Sequence, residues 1–156
     1  CDPGQFNIAH NICADVDGWV YVADRENHRV QVFDGDGKYE AQWNNMHRPC
    51  GLCGEPGRHG LFYIGEIGPT MPVNREVPNL GPRVSIVDHQ GKLLGRLGDI
   101  RAGLRLDQFI APHGMAVDSR GDLYVGEVSY TAWPQLYPNA APPKGLRSLR
   151  KLVRMG

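Results

Sequence analysis

The chain has 156 residues, 41% of them hydrophobic and 22% charged, which is enough apolar material for one packed domain. Its 17 basic and 17 acidic residues cancel, so bulk electrostatics offers no basis for a nucleic-acid partner or an anionic membrane surface. No apolar run approaches the roughly 20 residues that a membrane-spanning helix needs.

The 20 glycines and 12 prolines do not form a low-complexity block. They punctuate short apolar runs, the pattern of an all-β protein with many turns. No stretch keeps a helical period over ten or more residues. In chain order, His10 to Asp15 predicts a short strand. Asp17-Gly18 predicts a hairpin turn, because such a pair tolerates positive φ. Trp19 to Ala23, rich in aromatic and β-branched residues, predicts the second strand. Arg29 to Phe33 alternates polar and apolar residues, as a half-buried third strand does. A turn at Asp34-Gly35-Asp36-Gly37 leads to a fourth strand, Tyr39 to Trp43.

The same order then recurs. A middle copy starts at Pro49-Cys50-Gly51-Leu52-Cys53 and continues through Gly60 to Glu66. It runs on through Arg83 to Asp88, turns at Gln90-Gly91 and ends with Leu93 to Leu97. In the last copy, Phe109 to Asp118 aligns without a gap on Phe6 to Asp15, bringing His113 onto His10. Gly121, Tyr124, Val125 and Glu127 fall on Gly18, Tyr21, Val22 and Asp24, and the copy ends in Leu149 to Val153. Approximate repeats therefore cover 6–43, 45–98 and 103–154 of a single unit, 1–156. Four antiparallel strands in each repeat of roughly 40–50 residues is the plan of a propeller blade. The expected fold is an all-β propeller with about three blades, half of a six-bladed ring. Propellers close with typically four to eight blades. The uncovered faces call either for further, upstream blades of the same protein or for self-association, two copies about a twofold axis giving a homodimeric ring of six.

The string Asp15 to Asp34, with Val22-Ala23-Asp24-Arg25-Glu26-Asn27 at its centre, resembles an NHL repeat. Together with Ala111-Pro112-His113-Gly114-Met115, it makes nearly the whole chain similar to the C-terminal half of the peptidylamidoglycolate lyase family. That resemblance implies a six-bladed propeller that cleaves a peptidyl-α-hydroxyglycine to a peptide amide and glyoxylate. It also implies a channel zinc held by three histidines from alternate blades, and slightly favours an extracytoplasmic or secreted protein. His10 and His113 match two of those histidines, although Ala9 stands where proline is usual. The third, and the catalytic arginine and tyrosine, are expected in upstream blades, so this segment alone is not expected to be a complete enzyme. Gly114 replaces the acidic residue that helps hold a structural calcium, so the resemblance carries no calcium site here. The alternative function is a non-catalytic NHL module that binds a peptide or protein on its loop-rich face.

Three imidazole or thiolate ligands and a water make an open catalytic zinc site. Hydrogen bonding of His10 and His113 within the channel is the plainer alternative. Cys50 occupies the equivalent position of the middle repeat and is either a soft third ligand or a small buried residue. Cys50 and Cys53 point to opposite strand faces and are not expected to share a metal. Cys13 and Cys53 match on neighbouring inner strands, where a disulfide is allowed but not implied. Asp24, Glu66 and Glu127 recur after the second strand and read as structural anchors for turn amides or an arginine of the next strand. Two proline-rich insertions, Gly68 to Gly81 and Ser129 to Gly145, belong to the loops on the histidine face. Long loops in small domains are often functional, which makes Met71, Arg75, Tyr130, Trp133 and Tyr137 candidate ligand contacts.

Overall fold

The computed structural model describes residues 1–57, 59–70, 72–74 and 77–155. Four of its hairpin turns share one sequence, Asp-x-x-Gly, at Asp15–Gly18, Asp34–Gly37, Asp88–Gly91 and Asp118–Gly121. In each, the aspartate Oδ1 accepts two backbone N–H groups, such as those of Asp17 and Trp19 on Asp15 at 3.0 and 2.9 Å. The glycine takes positive φ, from 79 to 87°, a conformation that costs a residue without Cβ little. At the first hairpin the turn-forming carboxylate is thus Asp15, whose Oδ2 also accepts from the Tyr21 hydroxyl at 2.8 Å. The Asp17-Gly18 pair supplies only the glycine.

These turns fold the chain into three antiparallel sheets in succession. The first is β1 (Ala9–Ala14), β2 (Val20–Asp24), β3 (Arg29–Phe33) and β4 (Tyr39–Trp43), in that order. The second is β5 (Pro49–Gly54), β6 (Phe62–Glu66), β7 (Arg83–Val87) and β8 (Leu93–Leu97). The third pairs β9 (Pro112–Val117), β10 (Leu123–Glu127) and β11 (Leu149–Leu152). A fourth strand is therefore missing from the third sheet among the described residues. Strand order follows chain order, as in a propeller blade. The insertion after β10 is not an irregular loop. It holds a helix, α1 (Ser129–Leu136), too short and too interrupted by Pro134 to leave a helical period in the sequence.

The sheets stack face to face. Tyr21, Val30 and Trp43 of the first meet Leu52, Phe62 and Ile64 of the second. Tyr63 and Val84 of the second meet Phe109, Leu123 and Val125. Ile110 and Ala111 pack beneath Ala132 and Trp133 of α1. Of the repeated tyrosines, Tyr21 and Tyr63 are buried, whereas Tyr124 is only half-buried under Lys151.

Each sheet also buries one ion pair at the end of its second strand. Asp24 pairs with Arg29 at 2.9 Å, Glu66 with Arg83 at 2.8 Å and Glu127 with Arg150 at 2.6 Å. All three carboxylates are fully buried. Removing one partner of such a pair strands the other charge in a low-dielectric interior, which costs far more than the pair itself is worth. Arg150→Ala should therefore destabilise the chain by about 3 kcal/mol, also losing the guanidinium over the Phe109 ring. Urea denaturation measures this; a loss well below ~1 kcal/mol would mean that the pair behaves as a surface pair.

Candidate metal centre

Antiparallel pairing between the first two strands of each sheet slips by one residue, always at the same place. In the first sheet Ala9 faces Asp24 but Asn11 faces Ala23, so His10 is the extra residue of a β-bulge. In the second, Pro49 faces Glu66 and Gly51 faces Gly65, leaving Cys50 unpaired. In the third, Pro112 faces Glu127 and Gly114 faces Gly126, leaving His113. A bulge re-aims the side chain it carries. Three equivalent bulges in adjacent blades turn two imidazoles and a thiol toward one point, and their donor atoms all lie within 4.8 Å of one another.

The strands come this close because of Gly51. A Cβ there would stand 2.4 Å from the His113 carbonyl oxygen and 2.6 Å from Met115 Cγ. Any side chain would wedge β5 from β9 and part Cys50 from His113.

Each donor is in a distinct electrostatic setting. His10 Nδ1 lies 3.1 Å from the Cys50 carbonyl oxygen. A carbonyl can only accept, so Nδ1 is the donor in this contact and Nε2 is the nitrogen left to meet a metal. This is the arrangement in which a ligating histidine is usually held. The His10 and His113 rings meet edge to face with centroids 4.5 Å apart. Burial, and then the neighbouring His10 and Arg25, hold the His113 imidazole below the usual histidine range. The Cys50 thiol is pushed up by burial, partly opposed by the Arg25 guanidinium beside it.

Zinc bonds of 2.0–2.3 Å place tetrahedral donors about 3.5 Å apart. The observed span therefore needs about one ångström of closure. A borderline-soft cation matches two imidazoles and a thiolate, and would itself strip the thiol of its proton. The residues fit a zinc ion.

Arg25 was not legible as a site residue, because it sits within the repeat string, where it reads as one more strand-end charge. It also binds Glu26 at 2.8 Å, and Glu26 in turn holds Arg48 at 2.9 Å. Arg48 reaches on to the Thr70 hydroxyl at 2.8 Å, tying the second blade's insertion to the same rim. Gly51 was equally overlooked, although the glycine after Cys50 and the one after His113 are a visible pair.

Trp133 is not an exposed loop aromatic: it lies on the buried side of α1, packed with Ile110 and Ala111, and its indole N–H donates to the Ala140 carbonyl at 2.8 Å. Tyr130 is exposed. Tyr137 donates to the Ala102 carbonyl at 2.9 Å and lines a groove of about 410 Å³ between the two insertions. Met71 and Arg75 lie outside the described residues. The four cysteines are free thiols, and burial raises Cys13 and Cys53 to about 11 and about 12.

Residues 6–33 match the NHL repeat family. The chain is 33% identical over 130 residues to human NHL repeat-containing protein 3, and 50% identical over 130 residues to the mouse protein of that name. Both alignments cover 81% of this chain and 34% of the relative, so the chain spans about a third of the length of the curated relatives it matches. A catalytically inactive virginiamycin B lyase from Staphylococcus aureus, solved with quinupristin, superposes at TM-score 0.55. That match has 12% identity and covers 98% of this chain and 43% of the lyase chain. Hydrazine synthase from Kuenenia stuttgartiensis superposes at 0.53 with 15% identity over 79% of this chain and 31% of its own. At such identities the structures speak for the fold alone. The chain carries an NHL repeat over residues 6–33 within a β-propeller fold, and is similar to part of NHL repeat-containing protein 3.

One further group near the rim titrates in a useful range. His47 stacks on His28 with centroids 4.7 Å apart, and its Nε2 is buried without a hydrogen-bond partner among the described residues. Burial, then His28, Arg48 and Arg83, push its pKa down to about 4 against the partial opposition of Glu26. An unfolded chain takes up this proton near pH 6.5, before the folded one does. The stability that neutral His47 contributes is thus complete above pH ~6.5 and lost as the pH falls toward 4. Thermal midpoints recorded from pH 7 to 4 should fall across this window. The fall should be shallower in His47→Gln, and an equal slope in both proteins would remove His47 as its cause.

Proposed function

We propose that this chain forms the metal-holding sector of an NHL-type propeller, with zinc bound by His10, Cys50 and His113. The convergence of three bulged donors within 4.8 Å carries this reading. The rest of the ring is supplied by further blades of the same protein. This accords with relatives about three times as long and with exposed apolar side chains on the strands at both ends of the stack, Ile12 on β1 and Leu149 on β11.

Three protein ligands leave zinc a fourth position for a water or substrate oxygen, and a bound zinc polarises such an oxygen. In the assembled ring this is the chemistry of a peptidylamidoglycolate lyase, in which the hydroxyl proton moves to nitrogen as the C–N bond breaks and glyoxylate leaves. The chain's own residues bind and orient. His10 is fixed by its bond to the Cys50 carbonyl, Arg25 places a positive charge beside the donors, and the Glu26–Arg48 pair ties the neighbouring loop in place. The donor set differs from the lyase pattern in using adjacent blades and a thiolate.

A second reading, a peptide-binding module, draws support from the groove between the insertions. Val77, Pro78, Ile100, Leu136 and Tyr137 make it largely apolar, and Arg101 supplies one cation. It offers a place for an apolar side chain of a peptide near a carboxylate.

Zinc titration of the metal-free chain against a chromophoric chelator tests the first reading. One zinc per chain should bind, and Cys50→Ala or His113→Ala should each weaken it by more than about 100-fold, beyond the cost of losing a mere supporting group. Unchanged affinity in both variants would refute the site. Glyoxylate release from a peptidyl-α-hydroxyglycine by the zinc-loaded protein separates lyase from module. No release, together with saturable peptide binding lost in Tyr137→Ala, favours the module.

A further inference from the structure

The buried carboxylates do more than pair with arginine. Asp24 Oδ1 accepts the backbone N–H of Asn7 at 2.8 Å. Glu66 Oε2 accepts that of His47 at 2.6 Å. Glu127 Oε2 accepts those of Ile110 and Ala111 at 2.5 and 3.1 Å. Asn7, His47 and Ile110 each lie three residues ahead of the donor in their blade, His10, Cys50 and His113. The same carboxylates belong to the residues that face Ala9, Pro49 and Pro112, the last paired positions before each bulge. The lead-in of every inner strand is therefore pinned on one side of the bulge by a side-chain bond and a ladder pair to one acidic residue. On the other side it is pinned by the ladder.

We infer that Asp24, Glu66 and Glu127 are positioning residues for the metal centre, each setting the placement of the donor in its own blade through this clamp. The inference rests on the zinc reading above. It adds that the site is assembled blade by blade, so that loosening one clamp displaces one donor and leaves the other two. Carboxylate length matters in this arrangement. Glu66 must reach the His47 amide and Arg83 at once, while the Ser85 hydroxyl donates to its other oxygen. Asp24 meets both ends in the first blade with separate oxygens, one on the Asn7 amide and one on Arg29 Nε, whereas Glu66 meets them with a single Oε2, so an aspartate set back by one methylene on this backbone keeps the charge opposite Arg83 but loses the reach to the His47 amide.

Cobalt(II) in place of zinc makes the donors separately visible, since a thiolate ligand gives a charge-transfer band that imidazoles do not. The parent chain should bind one cobalt and show that band. Glu66→Asp should raise the dissociation constant about 10- to 100-fold, the cost typical of losing a supporting group, and should lose the thiolate band, because it frees Cys50. Glu127→Asp should raise the constant by a similar factor but keep the band, because it frees His113 alone. Circular dichroism and thermal midpoints establish that each variant is folded, and either variant alone is decisive if the other does not fold. Parent affinity in a folded variant overturns the inference while leaving the metal site standing. So does equal loss of the band in both variants, which is what general loosening of the sheets would give. A parent chain that takes up no cobalt refutes the zinc reading itself, a distinct outcome.

Discussion

A carboxylate with no exposed surface, placed at the end of the second strand of each sheet, is the constraint on which this structure turns. Burying a charge is costly unless it is both paired and hydrogen-bonded, and each blade meets that demand in the same way. The arginine comes from the next strand outward, and the amide comes from the segment leading into the innermost strand. One residue thereby ties together three pieces of chain: its own strand, the next strand outward and the lead-in to the innermost strand. Asp24 joins Asn7 to Arg29, Glu66 joins His47 to Arg83, and Glu127 joins Ile110 to Arg150. Because the inner strand begins from a fixed point, the pairing fault that follows is fixed as well.

The bulges and the close approach of the blades then act in series. A bulge alone would aim a side chain into the channel without giving it company. Company comes from the packing of β5 against β9, closed to a distance that only a glycine at position 51 permits. The His10 bond to the Cys50 carbonyl fastens β1 to β5 on the other side. The middle blade therefore touches both neighbours through residues 50 and 51. It does so through the Cys50 carbonyl and the bare backbone of Gly51, which leaves the Cys50 thiol free to face the two imidazoles.

Much of this was legible in the sequence, and the gaps have physical causes. The strand order, the equivalence of His10, Cys50 and His113, and the structural use of Asp24, Glu66 and Glu127 follow from self-similarity, which is a direct readout of repeated packing. What one repeat cannot reveal is how far apart two repeats sit. The approach of β5 to β9 depends on the absence of a side chain at Gly51, and a glycine among 20 others carries no label. The first hairpin turn lies where Asp17-Gly18 predicts it, with Gly18 at positive φ, but the side chain that closes it belongs to Asp15, two residues before the dipeptide. Trp133 was read as a ligand contact because long loops in small domains are often functional and this one lies on the histidine face. The eight-residue helix that buries it was hidden by Pro134.

The proposed donor set would have a consequence for the chemistry of a metal held there. A ligand set of three histidines from alternate blades is symmetric about the channel, and its ligands are neutral. Here the candidate donors come from consecutive blades, and the middle one would become an anion on binding a metal. Arg25, standing beside that thiol, would compensate the charge that a thiolate adds to the rim. A thiolate is an anion and donates more electron density to a metal than a neutral imidazole, so it would lower the Lewis acidity that polarises a bound oxygen. In the proposed site a thiolate donor would therefore trade some activation of a bound oxygen for tighter retention of a soft ion.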